Sequence, residues 1–86
     1  MFYVYVIKSK KDSKLYIGFT NDLRKRLAEH NQGLNKSTKH RIPFILVYYE
    51  AYFSEKDARS RERKLKKFKN SYTELKKRIK YSLNEA

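Results

Sequence analysis

The stretch FYVYVIKSKKDSKLYIGFTNDLRKRLAEHN, residues 2–31, contains the pattern that decides the fold. Its beginning, Phe2–Ile7, is continuously apolar and rich in aromatic and β-branched side chains, which is typical of a strand covered on both faces. A polar, lysine-rich break follows at residues 10–13, and Leu15–Ile17 resumes the strand pattern. This order of strand, turn and strand predicts a β-hairpin.

Two tyrosines of the hairpin, Tyr5 and Tyr16, are predicted to be neighbours. If the turn is centred between Lys10 and Lys11, they lie directly opposite each other on one face, with Cβ atoms about 5 Å apart. A bulge would shift this register. Small cores commonly bury aromatic residues, so the pair by itself is also compatible with packing alone.

A helix is predicted directly after the hairpin. Thr20 or Asn21 can cap it, Leu23 and Leu27 follow at helical spacing, and Gly33 can end it. The next residues, QGLNKSTKHRIP, are polar and basic and indicate a loop over residues 32–43.

The rest of the chain predicts one strand and two helices. Phe44–Tyr52 is long and aromatic, as expected of a third strand. Ser54 with Asp57, and Ser71 with Glu74, match the capping box that starts a helix. These signals predict helices over about residues 55–69 and 72–83.

The element order β-β-α-β-α-α predicts an α+β fold, a three-stranded antiparallel sheet flanked by three helices. At 86 residues we expect one domain over residues 1–86. No apolar run approaches the roughly 20 residues of a membrane span, so we expect a soluble, cytoplasmic protein with no membrane partner. The absence of cysteine excludes disulfides and thiolate metal sites, so a metal would be held by oxygen or imidazole.

The formal net charge of +13, from 22 Lys and Arg against 9 Asp and Glu, indicates a polyanionic partner. Nucleic acid is the leading candidate, with DNA favoured over RNA and association with the nucleoid conceivable. The alternative is a basic surface that only keeps the protein in solution. The expected backbone-binding residues lie in the loop and the second helix: Lys36, Lys39, His40, Arg41, Arg59, Arg61, Arg63, Lys64, Lys66, Lys67 and Lys69.

Three further charged or titratable side chains stand at informative positions. Arg26 and His30 are four residues apart and share one flank of the first helix. Glu62 falls on the inner stripe of the second helix, where a carboxylate needs a partner or a metal. The alternative is a solvated Arg26, a surface His30 and an ion pair between Glu62 and Lys66. That stripe also contains Ala58, Leu65 and Phe68.

These residues together resemble the GIY-YIG nuclease family. Tyr3–Tyr5 corresponds to the first motif, with Tyr3 and Val4 in place of its glycine and isoleucine, and Tyr16–Gly18 is the second motif intact. Arg26 follows ten residues after Tyr16, and Glu62 lies in a later helix. The similarity covers essentially the whole chain and includes His30 with the asparagine after it, as in small stand-alone bacterial domains.

The resemblance implies a mechanism and a site. Family members cleave a phosphodiester with one divalent metal ion, here most simply Mg²⁺ or Mn²⁺. Tyr5 would be the general base, Tyr16 its hydrogen-bonding partner, Arg26 the clamp on the scissile phosphate and Glu62 the metal ligand. His30 would orient a tyrosine or touch a phosphate.

Two functions therefore compete at the level of sequence. The first is a metal-dependent endonuclease of low sequence specificity, or selective for nucleic-acid structure, that acts in DNA repair or turnover. The second is a nucleic-acid-binding module with the same fold and no turnover. A basic adaptor for an acidic protein has no specific support. We expect a monomer or weak dimer, and Asn70 is the nearest candidate for the polar residue that many family members carry near the end of the site.

Overall fold

Three strands, β1 (Phe2–Ser9), β2 (Leu15–Thr20) and β3 (Phe44–Tyr52), form one antiparallel sheet in the computed structural model, which describes residues 1–86. The strand order is β2-β1-β3, so β1 is paired on both edges. Its residues 4–7 are buried, which explains why this segment is apolar at every position. The predicted sheet and the bounds of the third strand are confirmed.

The hairpin register differs from the predicted one by two residues. Tyr5 pairs with Gly18, and Tyr16 pairs with Ile7, so the predicted direct pairing of Tyr5 with Tyr16 is wrong. The reason is that the turn residues 10–13 are centred one position later than assumed. Because a shift of two residues preserves the alternation of side chains, both tyrosines keep the same face.

Helices cover the two faces of the sheet separately. The face that carries Tyr5 packs under α1 (Leu23–Asn31), whereas the opposite face packs under α2 (Glu55–Lys67), α3 (Lys69–Arg78) and α4 (Lys80–Glu85). The predicted α+β class with a three-stranded antiparallel sheet is confirmed. None of these helices has the length and apolar character needed to cross a membrane.

The first helix is capped by a different residue from those predicted. Asp22 is the N-cap, because its carboxylate accepts a hydrogen bond from the backbone N–H of Lys25 at 3.1 Å. Thr20 still belongs to β2, so neither Thr20 nor Asn21 has this role. Gly33 has a φ of +75°, the left-handed conformation that favours glycine after a helix, as its predicted role requires.

The predicted end of the second helix and start of the third are wrong. Phe68 interrupts them with extended backbone and is 52% exposed, so it does not belong to the inner stripe. Because α3 already begins at Lys69, Ser71 lies inside it and cannot be its cap. Ser54 precedes α2 as predicted but makes no capping hydrogen bond through its side chain.

The last predicted helix is divided in two. Ile79 has φ −108° and ψ 27°, outside the helical region, and separates α3 from α4. Leu75 and Ile79 are buried and Leu83 is half-buried, so the predicted inward stripe is confirmed although the helix is not continuous.

The loop of residues 32–43 is fixed to the sheet at several points. It contains a short 3₁₀ helix, Lys39–Arg41. The residues on either side of the loop are joined: the Asn31 side chain exchanges two hydrogen bonds with the backbone of Phe44, at 2.7 and 3.0 Å. The buried Ser9 hydroxyl donates to the carbonyl of Arg41. The loop therefore has a defined position beside α1.

Candidate active site

Tyr5 reaches across the sheet because its neighbour on β2 has no side chain. Its own side chain is almost fully buried. A Cβ added to Gly18 would meet Cζ and the hydroxyl oxygen of Tyr5 at 2.3 Å. The ring therefore lies directly over Gly18, and the phenol reaches the edge of the sheet formed by β2.

Two side chains from α1 contact the Tyr5 hydroxyl there. The Nε2 atom of His30 lies 2.8 Å from the hydroxyl oxygen, and Nε of Arg26 donates to the same oxygen at 3.3 Å. Arg26 and His30 are one turn apart, so a single helix face presents both. The structure therefore brings Tyr5, Arg26 and His30 together, and the surface position considered for His30 is wrong.

His30 is fully buried and connects Tyr5 to the loop. Its Nδ1 atom lies 2.9 Å from Oγ1 of Thr38, which is also fully buried. Burial, with a smaller effect from the charge of Arg26, lowers the pKa of His30 to about 4. The imidazole is therefore neutral at neutral pH. With its proton on Nδ1, it donates to Thr38 and accepts from Tyr5.

The pKa of Tyr5 is shifted in the opposite direction. Burial raises the pKa of Tyr5 to about 12, although the hydrogen bond from Arg26 and its positive charge act to lower it. The phenol is therefore protonated at neutral pH and serves as the hydrogen-bond donor to His30.

Tyr16 borders the same site without a hydrogen bond to Tyr5. The two tyrosine rings are tilted against each other with centroids 6.4 Å apart. The centroid of Tyr16 is 5.1 Å from that of His30, in an edge-to-face arrangement. Tyr16 therefore forms a half-buried aromatic wall around the imidazole.

Glu62 does not have the buried, unpaired carboxylate that its position on the stripe predicted. Its side chain is 20% exposed and accepts a hydrogen bond from Nζ of Lys66 at 2.8 Å, which is the alternative considered from the sequence. The same ammonium lies 5.6 Å from the centroid of Tyr16. The negative charge of Glu62 also contributes to the raised pKa of Tyr5, so the carboxylate is close to the tyrosine site.

Glu62 offers a single carboxylate as a ligand for a divalent cation. No group of three or more His, Asp or Glu side chains is arranged to hold a metal ion by itself. Mg²⁺ commonly uses one or two carboxylates together with waters and phosphate oxygens, which a single glutamate beside a bound phosphate can satisfy. Lys66 already supplies a cation at this carboxylate, so a metal would have to displace its ammonium.

The loop residues predicted to contact nucleic acid are mostly free to do so. Lys36, Lys39 and His40 are exposed. Arg41 is half-buried and is bound to Asp12 by an ion pair of 2.9 Å, so its guanidinium is less available.

The basic residues of α2 and the start of α3 divide in the same way. Arg63, Lys64, Lys67 and Lys69 are exposed and form no ion pair. Ion pairs engage the other three residues: Arg59 with Glu55, Arg61 with Glu50 and Lys66 with Glu62.

Glu50 lies on the opposite face from Tyr5, and both oxygens of its carboxylate accept hydrogen bonds from within the fold. Arg61 binds it in bidentate fashion at 2.9 and 3.1 Å, and the hydroxyls of Tyr48 and Tyr52 donate to it. Burial would raise the pKa of Glu50, but these hydrogen bonds outweigh it and hold the pKa below its ordinary value. Asn70 lines the groove beside this cluster, so the structure does not bring it to Tyr5.

Two contributors to the site were not recognised from the sequence. Thr38 lies in a polar loop where nothing distinguishes it from its neighbours, and only the fold brings it to His30. Gly18 was recognised as the last residue of the second motif but without a structural role, which the fold now supplies: the glycine makes room for Tyr5.

Comparisons with known proteins show the family to which the chain belongs. Residues 1–81 match the family model described as the GIY-YIG catalytic domain. The chain is 47% identical over 68 residues to UPF0213 protein CPE1444 of Clostridium perfringens, a match that covers 78% of this chain and 72% of that protein. It is 45% identical over 74 residues to UPF0213 protein SpyM50708 of Streptococcus pyogenes serotype M5, covering 85% and 79%.

A solved structure also shares the fold. The solution NMR structure of the UPF0213 protein BH0048 from Bacillus halodurans has a TM-score of 0.58 and 31% sequence identity, and the match covers 98% of this chain and 94% of that one. The family model spans nearly all of the chain, and its relatives are similar over most of their length. The chain therefore belongs to the GIY-YIG family of nucleases.

Proposed function

We propose that this chain is a metal-dependent endonuclease that hydrolyses phosphodiester bonds in DNA, with little sequence specificity or with selection of its substrate by shape. The observation that carries the proposal is the convergence of Arg26 and His30 on the Tyr5 hydroxyl at the edge of the sheet. Repair or turnover of DNA is the setting that such an activity suits.

Tyr5 would act as the general base through His30. The attacking water gives a proton to the Tyr5 oxygen while Tyr5 gives its own proton to Nε2 of His30, 2.8 Å away. The new bond joins the water oxygen to phosphorus, the bond to the leaving oxygen breaks, and solvent protonates the leaving oxygen. The His30 imidazolium, strongly acidic because the pKa of His30 is about 4, then returns its proton through Tyr5 to solvent. This coupled transfer avoids a free phenolate, which a pKa of about 12 makes rare at neutral pH.

Arg26 would hold the scissile phosphate beside Tyr5. Its Nε already donates to the Tyr5 oxygen and Nη1 to Glu29, at 3.2 Å, which leaves Nη2 available on a side chain that is 31% exposed. A guanidinium is suited to phosphate oxygens because of its planar set of donors. The phosphate would therefore be held within reach of the general base.

Glu62 would hold the divalent ion, Mg²⁺ or Mn²⁺, after Lys66 moves away from its carboxylate. When bound, the ion supplies positive charge that neutralises the charge developing on the leaving oxygen. The released Lys66 ammonium stays on α2 at the same edge and adds to the positive field around the phosphate.

A second candidate is a nucleic-acid-binding module that does not cleave what it binds. The observation that favours it is that Lys66 already neutralises the Glu62 carboxylate, beside a Tyr5 whose pKa is about 12. Binding would then need the exposed lysines and arginines but not Tyr5 or Glu62.

The deciding experiment incubates the pure chain with labelled branched, single-stranded and duplex DNA, and with matched RNA, in Mg²⁺, Mn²⁺ or EDTA. We expect cleavage of DNA only with a metal. Tyr5→Phe removes the hydroxyl with little change of shape and should lower the rate by about 10²- to 10⁴-fold. Glu62→Gln should abolish metal-dependent cleavage, and both variants should bind DNA in EDTA like the wild type.

A matched control is Tyr81→Phe, since Tyr81 is 74% exposed on α4 and lies on the opposite side of the sheet. It should cleave at the wild-type rate. Tight binding by the wild type without cleavage under any metal would favour the second candidate. Cleavage by Glu62→Gln at the wild-type rate would refute the metal assignment alone.

A further inference from the structure

One end of the sheet face that carries Tyr5 is left uncovered by α1. Leu23 and Leu27 of α1 pack over the cluster of Tyr5, Ile7 and Phe44. Beyond that cluster, Tyr49 is 51% exposed. Its ring meets that of Tyr3 edge to face, with centroids 5.8 Å apart. We call these two residues the Tyr3–Tyr49 pair.

The pair is directly continuous with the candidate active site. Tyr49 is the partner of Tyr5 in the register between β1 and β3, and Tyr3 is two residues before Tyr5 on the same face. Opposed residues on neighbouring strands have Cβ atoms about 5 Å apart. Because the Tyr5 ring turns toward Gly18 on β2, it leaves the β3 side of this face to the pair.

The tyrosines of β3 differ in the hydrogen-bond partners of their hydroxyls. On the opposite face, Tyr48 and Tyr52 donate hydrogen bonds to Glu50, which accounts for their positions as part of a structural cluster. No such partner holds the hydroxyl of Tyr49, and its ring is half exposed. Tyr49 therefore presents an aromatic surface that the fold itself does not use.

Cationic side chains lie at the start of α1, which follows closely after the strand end that is paired with Tyr3. Tyr3 is paired with Thr20 at the end of β2, and α1 begins three residues after Thr20. Its first turn contains Arg24 and Lys25, which are exposed and form no ion pair, and no acidic residue. Cations in a first turn are unfavourable for the helix itself, and these two outnumber the single N-cap carboxylate of Asp22, so the start of α1 suits an anionic ligand.

We propose that the Tyr3–Tyr49 pair is a stacking surface for an unpaired nucleobase next to the phosphate held at Tyr5, with Arg24 and Lys25 on the flanking phosphates. The proposal rests on the function proposed above and specifies its substrate. Bases in a continuous duplex are stacked on one another, so only a single-stranded or flipped nucleotide can use this surface. The chain therefore prefers DNA with unpaired nucleotides over intact duplex.

Binding measured in EDTA tests this preference without cleavage. Fluorescence anisotropy compares a short single-stranded oligonucleotide with the duplex of the same sequence at one salt concentration. Tyr49→Ala should weaken binding of the single strand by about 5- to 150-fold, the loss of one stacked base, and leave duplex binding within about twofold. Tyr49→Phe keeps the ring and should bind both like the wild type.

The control is Tyr81→Ala, which removes an exposed tyrosine from α4. It should leave both affinities unchanged. A 2-aminopurine in the single strand should be quenched by the wild type and by Tyr49→Phe but not by Tyr49→Ala.

Three outcomes would overturn the proposal: no loss with Tyr49→Ala, an equal loss for single strand and duplex, or a wild-type dimer that Tyr49→Ala dissociates. The last would mean that a second copy covers the pair. If the wild type cleaves nothing while Tyr49→Ala still loses only single-strand affinity, the nuclease proposal fails and the stacking surface stands.

Discussion

The Tyr5 hydroxyl depends on residues that are distant in the sequence. Gly18 makes room for its ring, Arg26 and His30 bind it, and Thr38 binds the other side of the imidazole. The hydrogen bonds of His30 to Tyr5 and to Thr38 are short, at 2.8 and 2.9 Å, and directional, so a displacement of the ring by about 1 Å would break the contact with Tyr5. A site of this kind is sensitive to substitutions that change no charged group.

Gly18→Ala tests this dependence. The new methyl group would lie 2.3 Å from the Tyr5 ring, which is packed in the core and must move. We expect a loss of about 1 to 3 kcal/mol in the free energy of unfolding, as for other overpacked cores. Cleavage per folded molecule should fall at least tenfold, because Tyr5 no longer meets His30.

The second glycine of the chain provides the control. Gly33→Ala adds a methyl group in ordinary van der Waals contact with Cβ of Lys39, at 3.8 Å, but at a φ of +75° it should cost about 1 to 2 kcal/mol of backbone strain. It therefore destabilises the fold by a similar amount without touching Tyr5. Urea titrations give both stabilities, and equal cleavage rates for the two folded variants would contradict the role assigned to Gly18.

His30 predicts how stability depends on pH. Its pKa is about 4 in the folded protein and near 6.5 in the unfolded chain. Between these values the unfolded state binds a proton that the folded state does not. The contribution of His30 to the free energy of unfolding is therefore fully present above pH 6.5 and is lost as the pH drops toward 4. We expect a loss of about 2 kcal/mol between pH 7.5 and pH 5, measured by urea unfolding.

The two histidines of the chain make this test specific. His30→Gln should lose most of the dependence on pH in that window, whereas the exposed His40→Gln should keep it. The same slope in both variants would mean that another group titrates.

At the scale of elements, α2 is fixed to β3 by a polar cluster as well as by its apolar stripe. Ala58 and Leu65 are buried against the sheet. Arg61 projects from the same helix onto Glu50, whose side chain is 14% exposed and also accepts from two tyrosines. This contact explains why Arg61, one of the basic residues expected to bind nucleic acid, is engaged within the fold.

Arg61→Ala should therefore affect stability more than binding. It leaves Glu50 half-buried without its cation, and we expect the free energy of unfolding to fall by about 2 kcal/mol. Lys77→Ala is the control, because its pair with Glu74 is at 3.6 Å between side chains that are 70% and 74% exposed. That variant should change stability by less than about 0.5 kcal/mol. Urea titrations showing equal losses would contradict the structural role of Arg61.

The elements also show which features a sequence can reveal. The apolar run of β1 and the bounds of β3 follow from local pattern, and the i, i+4 spacing placed Arg26 and His30 on one flank of α1. The hairpin register depended on the centre of its turn, which polar residues 10–13 do not mark. The contact of Thr38 with His30 depends on side-chain geometry that composition does not encode, whereas the ion pair of Lys66 with Glu62 follows from their i, i+4 spacing.

At the scale of the whole molecule, only some of the basic side chains behind the net charge of +13 are free of ion pairs. Ion pairs engage Arg41, Arg59, Arg61 and Lys66, whereas Lys36, Lys39, Arg63 and Lys67 are exposed and unpaired. The free cations are the ones that can release counterions from a nucleic-acid backbone.

Binding should therefore weaken linearly in a plot of log affinity against log salt, with a slope set by the phosphates contacted. Lys39 is the most informative single residue, because it follows Thr38, whose hydroxyl contacts His30 in the candidate site. Lys39→Ala should reduce the slope by about 0.7 to 0.9, the loss of one phosphate contact. Lys80→Ala removes the same charge from α4 on the opposite side of the sheet and should leave the slope unchanged. Anisotropy titrations in EDTA from 50 to about 300 mM salt measure the slopes of both variants. An equal reduction of the slope in the two variants would mean that net charge, rather than a defined path past Tyr5, attracts the nucleic acid.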